Sequence, residues 1–448
     1  MENLGLIYAV FSRLTAAPTG IFINSTKITT LHYLHEIYKY LESTQGRITP
    51  NLFHINLMNR NVLILAFCQA MLFSGTGLII ASSALIGKEL APSPAWSTVP
   101  LAAQFLSTML VIFYVSHLMK DKGRRFVFMR GALVGSVGMA LSALGIWLGS
   151  FTLFVLAGML IGVHNAIGQF YRFAAAEAVT TQLKSKAISF TMAGGVLAAF
   201  IGPNLAIYTR NMLEQVFMAS YLALILTTLA VAWVTSRLDL PVIADEKIAS
   251  RSLLAIAKQP QYLMAMFAAM IGYGLMSFLM TATPLAMQCH DHSFSSTALV
   301  IQWHLFAMFA PSFFTGDLIR KFGVMQVMIV GSLLLMACAL INLNGTSLLH
   351  FEVALILLGV GWNFLYIGAT TLLTDTYSEN EKAKAQGLND TFVFATLTIT
   401  SLASGASVEL FGWQTINSYS IPVTLSILAG LIWMVAKRAK QAAVEVMP

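Results

Sequence analysis

The chain of 448 residues is 57% hydrophobic and only 10% charged, and its formal net charge is +7. Soluble globular chains average roughly 45 to 50% apolar and about 25% charged residues, so an ordinary water-soluble protein is excluded. Apolar runs of the length that a bilayer-spanning helix needs, about 20 residues, recur along most of the sequence. The composition therefore predicts an α-helical membrane protein with many spans.

Residues 1–59 do not share this pattern. Their first apolar patch, Leu4–Phe11, is too short to span a bilayer, and no basic segment of a secretory signal precedes it. A later stretch has the apolar spacing of an amphipathic helix, and Met58 lies just before the first long apolar run. We expect an N-terminal extension that is either an interfacial helix or a segment upstream of the true translation start.

The apolar runs from residue 60 onward predict twelve transmembrane helices in two groups of six. The first six spans are predicted near Asn61–Ile86, Ser97–Met119, Phe126–Leu148, Phe151–Ala176, Ala187–Ala206 and Val216–Val234. The last six are predicted near Tyr262–Met287, Thr297–Thr315, Val324–Leu343, Leu348–Leu373, Ala385–Val408 and Ile416–Ala436. The predicted domains are a first bundle at 60–235, a linker at 236–260, a second bundle at 261–437 and a tail at 438–448.

Lysine and arginine concentrate in alternate loops, in the linker and in the tail, whereas the loops between them keep only Lys88 and Arg210. Cytoplasmic loops retain basic residues when helices insert, so the basic loops are assigned to the cytoplasm. With an even number of spans, both termini are then cytoplasmic in a multi-pass protein of the inner or plasma membrane. Because topology explains the positive charge, we expect no nucleic-acid partner.

Two segments about 200 residues apart have related sequences, SHLMKDKGRR at Ser116–Arg125 and GDLIRKFGVM at Gly316–Met325. Each is interpreted as a short basic turn between spans, with leucine at its third position and glycine at its eighth. A weaker match at nearly the same offset pairs Asn165 with Asn363. Self-similarity at one offset, in the same membrane orientation, predicts two parallel six-helix halves.

On these residues the sequence resembles the major facilitator superfamily, whose members contain repeated six-helix halves around a site near the bilayer midplane. In that family the loop after the second helix has the signature sequence Gly-x-Leu-x-Asp-Arg-x-Gly-Arg-Arg. Leu118, Gly123, Arg124 and Arg125 match it, whereas Lys120 stands at the acidic position. The resemblance implies an all-α integral membrane fold of twelve helices in two pseudo-symmetric bundles, and secondary-active transport by alternating access.

In that family the loop acid is thought to latch the cytoplasmic gate against a helix N-terminus, where negative charge is stabilised. Asp121 follows Lys120 here, and the sequence leaves open whether it substitutes. A glycine-rich fifth span ending in Gly202–Pro203 partly matches drug/proton antiporters and hints at export, so import and export both stay open. The candidate coupling and gating residues of the loop are Asp121, Gly123, Arg124 and Arg125.

Polar side chains inside a span are costly in lipid and therefore mark candidate sites. In the fourth span Asn165, Gln169 and Arg172 are spaced to share one helical face, and His164 and Tyr171 lie near its edge. Facing a cavity, Arg172 would bind a substrate anion or form a switchable salt bridge. Alternatively Arg172 reaches the interface, the amides bond neighbouring helices, and His164 is a packed core histidine rather than a proton carrier.

The tenth span mirrors the fourth with Trp362, Asn363 and Tyr366, and its two aromatic residues share a face. They would form stacking walls for a planar ligand, or they pack inside the bundle. The other substrate-binding candidates, in the seventh and eighth spans, are Tyr273, Gln302 and Trp303.

Acidic residues inside spans are scarce, and Asp390 in the eleventh span is the clear case. A buried acid takes up a proton readily unless a cation lies close to it. Asp390 is therefore predicted to bind a proton in one state and to pair with Arg172 in another. The family resemblance likewise implies coupling to the proton gradient.

The sequence contains no phosphate-binding loop, so ATP-driven pumping by this chain alone is disfavoured, and no close-spaced cysteine pair indicates a zinc site. Histidines and acids are scattered rather than clustered at one interface, so we expect no enzyme, no metal and no other cofactor. The short segment Cys289–His292 carries metal-ligating residue types, but a polar loop explains it more simply. The expected partners are a small amphipathic organic solute, protons and the lipid bilayer, and we expect a monomer. A receptor without flux would keep the same fold, and it would bind its ligand without exchanging it.

Overall fold

The computed structural model describes residues 59–180, 183–240, 251–378 and 381–445. The predicted extension therefore lies outside the described residues, except for Asn59. All regular secondary structure in the described part of the chain is helical, and the residues from Asn59 onward form one compact unit.

The first half of the chain folds into six spans, the fourth of which is broken into two helices. Their bounds are Arg60–Leu90, Val99–Lys122, Arg124–Trp147, Phe151–Gly168 with Tyr171–Glu177, Lys184–Thr209 and Met218–Thr235. A short helix at Leu253–Ala257 lies in the linker. The next helices are Pro260–Cys289, Phe294–Phe309 with Ser312–Phe322, Val324–Asn344, Leu348–Thr374 and Lys382–Glu445.

The last helix contains two spans. It is 64 residues long, about three times the length that crosses a bilayer once. Its backbone turns at Gly412, which has φ 76° and ψ 168°, so residues 382–411 and 413–445 are the eleventh and twelfth spans. When the bent pair Phe294–Phe309 and Ser312–Phe322 is counted as one span, 11 candidate spans are found in the described residues. Dividing the last helix at Gly412 raises this number to twelve. The predicted fold class is confirmed, while the domain boundaries stay predictions.

The two repeated basic segments are helical, so their interpretation as turns is wrong in extent. The second span continues to Lys122 and the eighth to Phe322, and a single glycine then joins each to the next helix. Gly123 has φ 80° and ψ 150°, and Gly323 has φ 93° and ψ 151°. Positive φ is a conformation that glycine adopts without steric cost. The repeat is therefore visible in the backbone as two equivalent corners.

The halves differ at two breaks. The fourth span stops at Gly168 and resumes at Tyr171, whereas its counterpart, the tenth span, is continuous. The eighth span bends by 44° between Phe309 and Ser312, whereas the second span is continuous. Pro311 lies at this bend, and proline removes a helical hydrogen bond and clashes with the preceding turn.

The two ends of the bundle are packed differently. We call the end that carries Lys122 and Arg124 the basic end, and the other the opposite end. Near the opposite end every residue of 77–87 in the first span and of 279–287 in the seventh span is buried. Toward the basic end, burial on the same two spans is interrupted by exposed leucine and phenylalanine. The spans are therefore enclosed most completely at the opposite end.

Candidate functional site

Five aromatic side chains from four spans meet where the halves face each other, and we call them the aromatic cluster: Phe73, Tyr273, Phe309, Trp362 and Tyr366. Phe73 stacks on Phe309 at 4.8 Å between centroids, and Trp362 stacks on Tyr366 at 5.0 Å. Tyr273 contacts Trp362 and Tyr366 edge-on at 5.0 and 5.2 Å. Stacked and edge-to-face geometries are the favourable ones for ring pairs. The cluster forms a continuous wall of rings drawn from both halves.

A small cavity of about 70 Å³ adjoins the cluster. Its lining comes from both halves and is mostly apolar, with hydroxyl groups from Thr76 and Ser277. The Thr76 hydroxyl donates to the Leu72 carbonyl 3.0 Å away, whereas the buried Ser277 hydroxyl has no partner. The cavity therefore combines an apolar surface with a free polar group.

Arg172 of the first half faces the second half beside the cluster. It interacts electrostatically with Tyr273, Tyr366 and Asp390, and its guanidinium lies 4.9 Å from the Phe173 ring centroid. Its Nε atom is buried without a partner. Arg172 and Asp390, both described, do not form an ion pair in this conformation. The structure thus places the predicted charged residues near each other across the two halves.

Two candidates of the fourth span lie inside the first half instead. His164 is 3% exposed, its Nδ1 atom is 3.1 Å from the Gly131 carbonyl oxygen, and its ring packs against Gly135. Tyr171 is fully buried and contacts Phe128 edge-on at 4.9 Å. Neither lines the central cavity, so their proposed roles with substrate stay predictions.

The predicted face of the fourth span is interrupted. Asn165 and Gln169 are half-buried, but the helix ends at Gly168. Gln169 and Phe170 form a turn with right-handed backbone angles before the helix resumes at Tyr171, so the shared face with Arg172 stays a prediction.

Asn363 of the tenth span stabilises the bend of the eighth span. Its amide nitrogen donates to the Met308 carbonyl and to the Ser312 hydroxyl, each at 2.7 Å. Its amide oxygen accepts from the Thr315 hydroxyl at 2.7 Å. These partners lie on both sides of the bend, so Asn363 satisfies groups that the broken helix leaves free, and it has little capacity left for a ligand.

Hydrogen bonds join the halves at the opposite end. Asn204 donates to the predicted candidate Gln302 at 2.6 Å, and Lys88 donates to Gln288 at 3.2 Å. The Gly405 amide donates to the Thr98 hydroxyl at 3.2 Å. Trp303, the other eighth-span candidate, contacts Phe200 edge-on at 6.2 Å. Gln302 and Trp303 thus lie in the contact between the halves.

A cation–π contact also joins the two halves at the opposite end. The Arg210 guanidinium lies 5.3 Å from the Phe217 ring centroid in the first half and 4.8 Å from the Phe294 centroid in the second. The two rings contact each other edge-on at 4.9 Å. Arg210 and Lys88, the two basic residues that the sequence retains in the opposite loops, therefore both bridge the halves.

At the basic end, the loop candidates lie in one half. Arg124 forms an ion pair with Glu177 of the fourth span at 2.5 Å, while Asp121 and Arg125 are exposed. Gly123 makes the corner between the second and third spans. The acidic partner of this loop is therefore on a neighbouring helix of the same half, and a role for Asp121 as a gate latch stays a prediction.

No group of three or more histidine, cysteine, aspartate or glutamate side chains in the described residues is arranged to hold a metal. In the candidate loop, a ring nitrogen of His290 lies 2.7 Å from the Ala286 carbonyl oxygen, and one of His292 lies 2.8 Å from that of Thr346. These contacts fit the interpretation of Cys289–His292 as a polar loop.

Sequence reasoning missed Phe73, Phe309 and Ser277. The repeat contained a signal for the first, because an offset of 200 places Phe73 opposite Tyr273. No pattern identified Phe309 or Ser277, since a phenylalanine or a serine within an apolar span is ordinary for a helix that packs in a bundle.

In the part of the chain that the structure describes, twelve apolar spans in two halves, with a cavity and charged residues between them, define a polytopic transporter fold. A sequence profile described as Major Facilitator Superfamily matches residues 265–446. The chain is 39% identical over 378 residues to the riboflavin transporter RfnT of Brucella anthropi, which covers 83% of this chain and 95% of the relative. The chain belongs to the major facilitator superfamily.

Other relatives are more distant. The chain is 25% identical over 398 residues to YddS of Bacillus subtilis, an uncharacterized MFS-type transporter, covering 84% of this chain and 91% of the relative. The crystal structure of the nucleoside transporter NupG matches with a TM-score of 0.62 at 12% identity, covering 83% of this chain and 99% of NupG. At this identity the structural likeness shows the fold alone.

Proposed function

We propose that the chain is a secondary-active transporter of a planar heteroaromatic solute, with riboflavin as the first substrate to test. The observation that carries this proposal is the aromatic cluster, which places five rings from both halves beside Arg172 and an adjoining cavity. Flat ring systems stack favourably on such side chains. The similarity to RfnT supports a flavin within this chemical class.

The halves move apart to admit such a solute. Ligand pockets for organic molecules are about 300 to 1,000 Å³, whereas the cavity here is about 70 Å³. The conformation is therefore a contracted one. With the basic end assigned to the cytoplasm, the hydrogen bonds at the opposite end close the outer side, and the alternating state breaks them. The solute shifts this equilibrium by binding one state more tightly than the other.

Proton coupling is assigned to Asp390. Its carboxyl group lies within the eleventh span and interacts electrostatically with Arg172, yet the two are not paired. Movement of the halves that changes this separation changes how strongly the carboxyl group holds its proton. In the same cycle Tyr366 supplies a neighbouring hydroxyl group. Protonation of Asp390 in one state and its attraction to Arg172 in the other would link proton movement to solute movement.

Transport of riboflavin and its coupling to protons are both tested in proteoliposomes. The purified chain is expected to exchange labelled riboflavin in counterflow and to accumulate it when a pH gradient is imposed. Asp390→Asn is expected to abolish accumulation while it spares counterflow. The control is Asp291→Asn, an exposed site in the turn after the seventh span. Its φ of 60° is one that asparagine also tolerates.

The outcomes separate the alternatives. Binding of riboflavin without counterflow would show a receptor and overturn the transport proposal. Counterflow with pH-driven accumulation retained in Asp390→Asn would overturn the assignment of proton coupling. Absence of both binding and exchange would overturn riboflavin as the solute.

A further inference from the structure

Ser277 and Trp362 both have buried polar groups that no described protein atom satisfies. Ser277 is 1% exposed and lines the cavity, and Trp362 is 5% exposed and belongs to the aromatic cluster. Neither the Ser277 hydroxyl nor the Trp362 indole nitrogen has a hydrogen-bond partner. A buried donor without a partner is destabilising and is uncommon in folded proteins. These two groups are therefore candidates to be satisfied by a ligand.

Comparison with other hydroxyls in the spans strengthens this reading. Thr283 in the same helix donates to the Leu279 carbonyl at 2.7 Å, and Ser82 in the first span donates to Leu78 at 2.8 Å. Donation to the carbonyl four residues earlier is the usual way in which a helix satisfies such a group. Ser277 does not make this bond. Ser277 therefore keeps an unpaired hydroxyl group in the lining of the cavity.

The indole group of Trp362 is fixed in orientation. Its ring stacks on Tyr366 with an interplanar angle of 10°, and the edge of Tyr273 packs against it at 5.0 Å. An indole N–H is a donor only, so it requires an acceptor atom. Tyr273 connects the two residues, because it contacts Trp362 and also lines the cavity with Ser277.

We propose that Ser277 and Trp362 are specificity-determining residues that donate hydrogen bonds to acceptor atoms on the edge of a flat ring system. This inference rests on the proposed function, because it names the chemistry by which the same site selects its solute. The solute class is a planar heteroaromatic compound with ring nitrogen or carbonyl oxygen acceptors. A flat hydrocarbon of equal size would stack on the cluster but would leave both donors unsatisfied, and the site rejects it.

The proposal is tested by variants that remove each donor but keep an aromatic ring at position 362 and a small side chain in the helix at position 277. Ser277→Ala and Trp362→Phe are each expected to raise the dissociation constant for riboflavin about tenfold, the effect of about 1.4 kcal/mol. Ser277→Thr keeps a hydroxyl and is expected to retain most of the affinity. The control is Ser142→Ala, because the Ser142 hydroxyl is also buried and unpartnered but lies in the third span, away from the cavity. Binding is measured by quenching of flavin fluorescence in detergent.

Riboflavin analogues that lack one acceptor atom identify which atom accepts each hydrogen bond. Wild-type protein is expected to bind riboflavin more tightly than 1-deazariboflavin or 5-deazariboflavin, in which a ring C–H replaces one acceptor nitrogen. If Ser277 or Trp362 donates to one of these ring nitrogens, its variant is expected to bind riboflavin and the matching deaza analogue equally well. If it donates to a carbonyl oxygen, its variant is expected to bind riboflavin and an analogue without that carbonyl equally well. Riboflavin binding within twofold of wild type in both Ser277→Ala and Trp362→Phe overturns the proposal.

Failure of the proposed function is distinguishable from failure of this inference. If riboflavin does not bind wild-type protein, the substrate assignment fails, and the same variants are tested by thermal shift with lumichrome, a pterin and adenine against naphthalene. A bound ligand raises the unfolding temperature. Stabilisation by a heteroaromatic compound that the donor variants reduce supports the inference. Equal stabilisation by naphthalene, or heteroaromatic stabilisation unchanged in the variants, overturns it.

Discussion

The two ends of the bundle use charge in different ways. At the opposite end Lys88 and Arg210 belong to contacts that cross between the halves, a hydrogen bond to Gln288 and a cation–π contact with Phe294. At the basic end the ion pairs between described residues stay on one side. Arg124–Glu177 lies in the first half, and Arg320–Asp317 and Arg251–Glu381 involve the second half or the linker.

This difference shows which contacts are able to change during transport. A hydrogen bond contributes about 0.5 to 1.5 kcal/mol, or up to about 3 kcal/mol when one partner is charged, as in the bond from Lys88, and a cation–π contact contributes about 0.5 to 2 kcal/mol. Contacts of that size break and re-form readily. The ion pairs between described residues at the basic end are partly or largely exposed, and because none joins the first half to the second, they are not disturbed when the halves move. The contacts that cross between the halves therefore change when the halves move, whereas the ion pairs are kept.

The largest effect is expected from Gly405→Val at the opposite end. A Cβ atom on Gly405 would lie 2.6 Å from the Ser97 hydroxyl and 2.8 Å from the Thr98 hydroxyl. Overpacking of this kind costs about 1 to 3 kcal/mol, so the open state should gain about five- to 150-fold in population. The matched control is Gly316→Val, because a Cβ at Gly316 meets no atom within 4 Å.

The readout is the rate at which an impermeant maleimide labels Ser83→Cys, which is 2% exposed in the closed end. The native cysteines Cys68, Cys289 and Cys338 are first replaced by serine. Labelling that is faster in Gly405→Val but not in Gly316→Val is expected. Equal rates would contradict closure by direct contact at this point.

The second effect is on stability at the basic end. The Arg251 guanidinium, with the Ser378 amide, holds the pKa of Glu381 well below its usual range. A carboxyl group with a depressed folded-state pKa stabilises the fold fully above its unfolded pKa, about 4.3, and less as the pH falls toward the folded value. Glu381→Gln should therefore lower Tm by several degrees at pH 6 to 7, and the difference should shrink below about pH 4.3.

The control for this prediction is Asp317→Asn. Asp317 and Arg320 form an ion pair whose side chains are 69% and 82% exposed, and such pairs contribute little. Thermal unfolding in detergent over pH 3.5 to 7 should show almost no change for this variant. A pH-independent difference for Glu381→Gln would refute a stabilising charge at that position.

A smaller effect is expected from Arg210→Ala. Loss of the cation–π contact across the halves, worth about 0.5 to 2 kcal/mol, should favour the open state about two- to thirtyfold and speed the labelling of Ser83→Cys. Arg130→Ala is the control, since the Arg130 guanidinium lies 5.3 Å from the Phe126 centroid within a single span. If both variants label alike, Arg210 does not help to close the opposite end.

The sequence predicted the spans well because long apolar runs and loop charges determine how helices cross a bilayer. The ninth span, predicted at Val324–Leu343, is observed at Val324–Asn344. The extent of the basic turns was wrong because polarity marks where a helix leaves the membrane, whereas only backbone geometry shows where it ends. The break after Gly168 and the bend at Pro311 were not predicted, although the proline was a readable signal for the bend.

The geometry of the candidate site agrees with the sequence in part, while the roles of its residues stay predictions. Trp362 and Tyr366 share a face as their spacing indicates, and Arg172 and Asp390 interact across the halves. His164 and Tyr171 pack inside the first half, because a helix of a bundle has several buried faces and polarity alone does not say which one lines the cavity. The same ambiguity hid Ser277, which combines a buried hydroxyl without a partner with a place in the lining of the cavity.

Transport by separation of the halves is tested most directly by a cross-link that holds the opposite end in its closed form. Lys88→Cys and Gln288→Cys, in the chain without its native cysteines, are joined by a short bifunctional methanethiosulfonate reagent in proteoliposomes. Riboflavin counterflow is expected to stop when the cross-link forms and to return when it is reduced, while each single variant with the same reagent stays active. Continued counterflow with the cross-link complete would contradict transport by separation of the halves at this end.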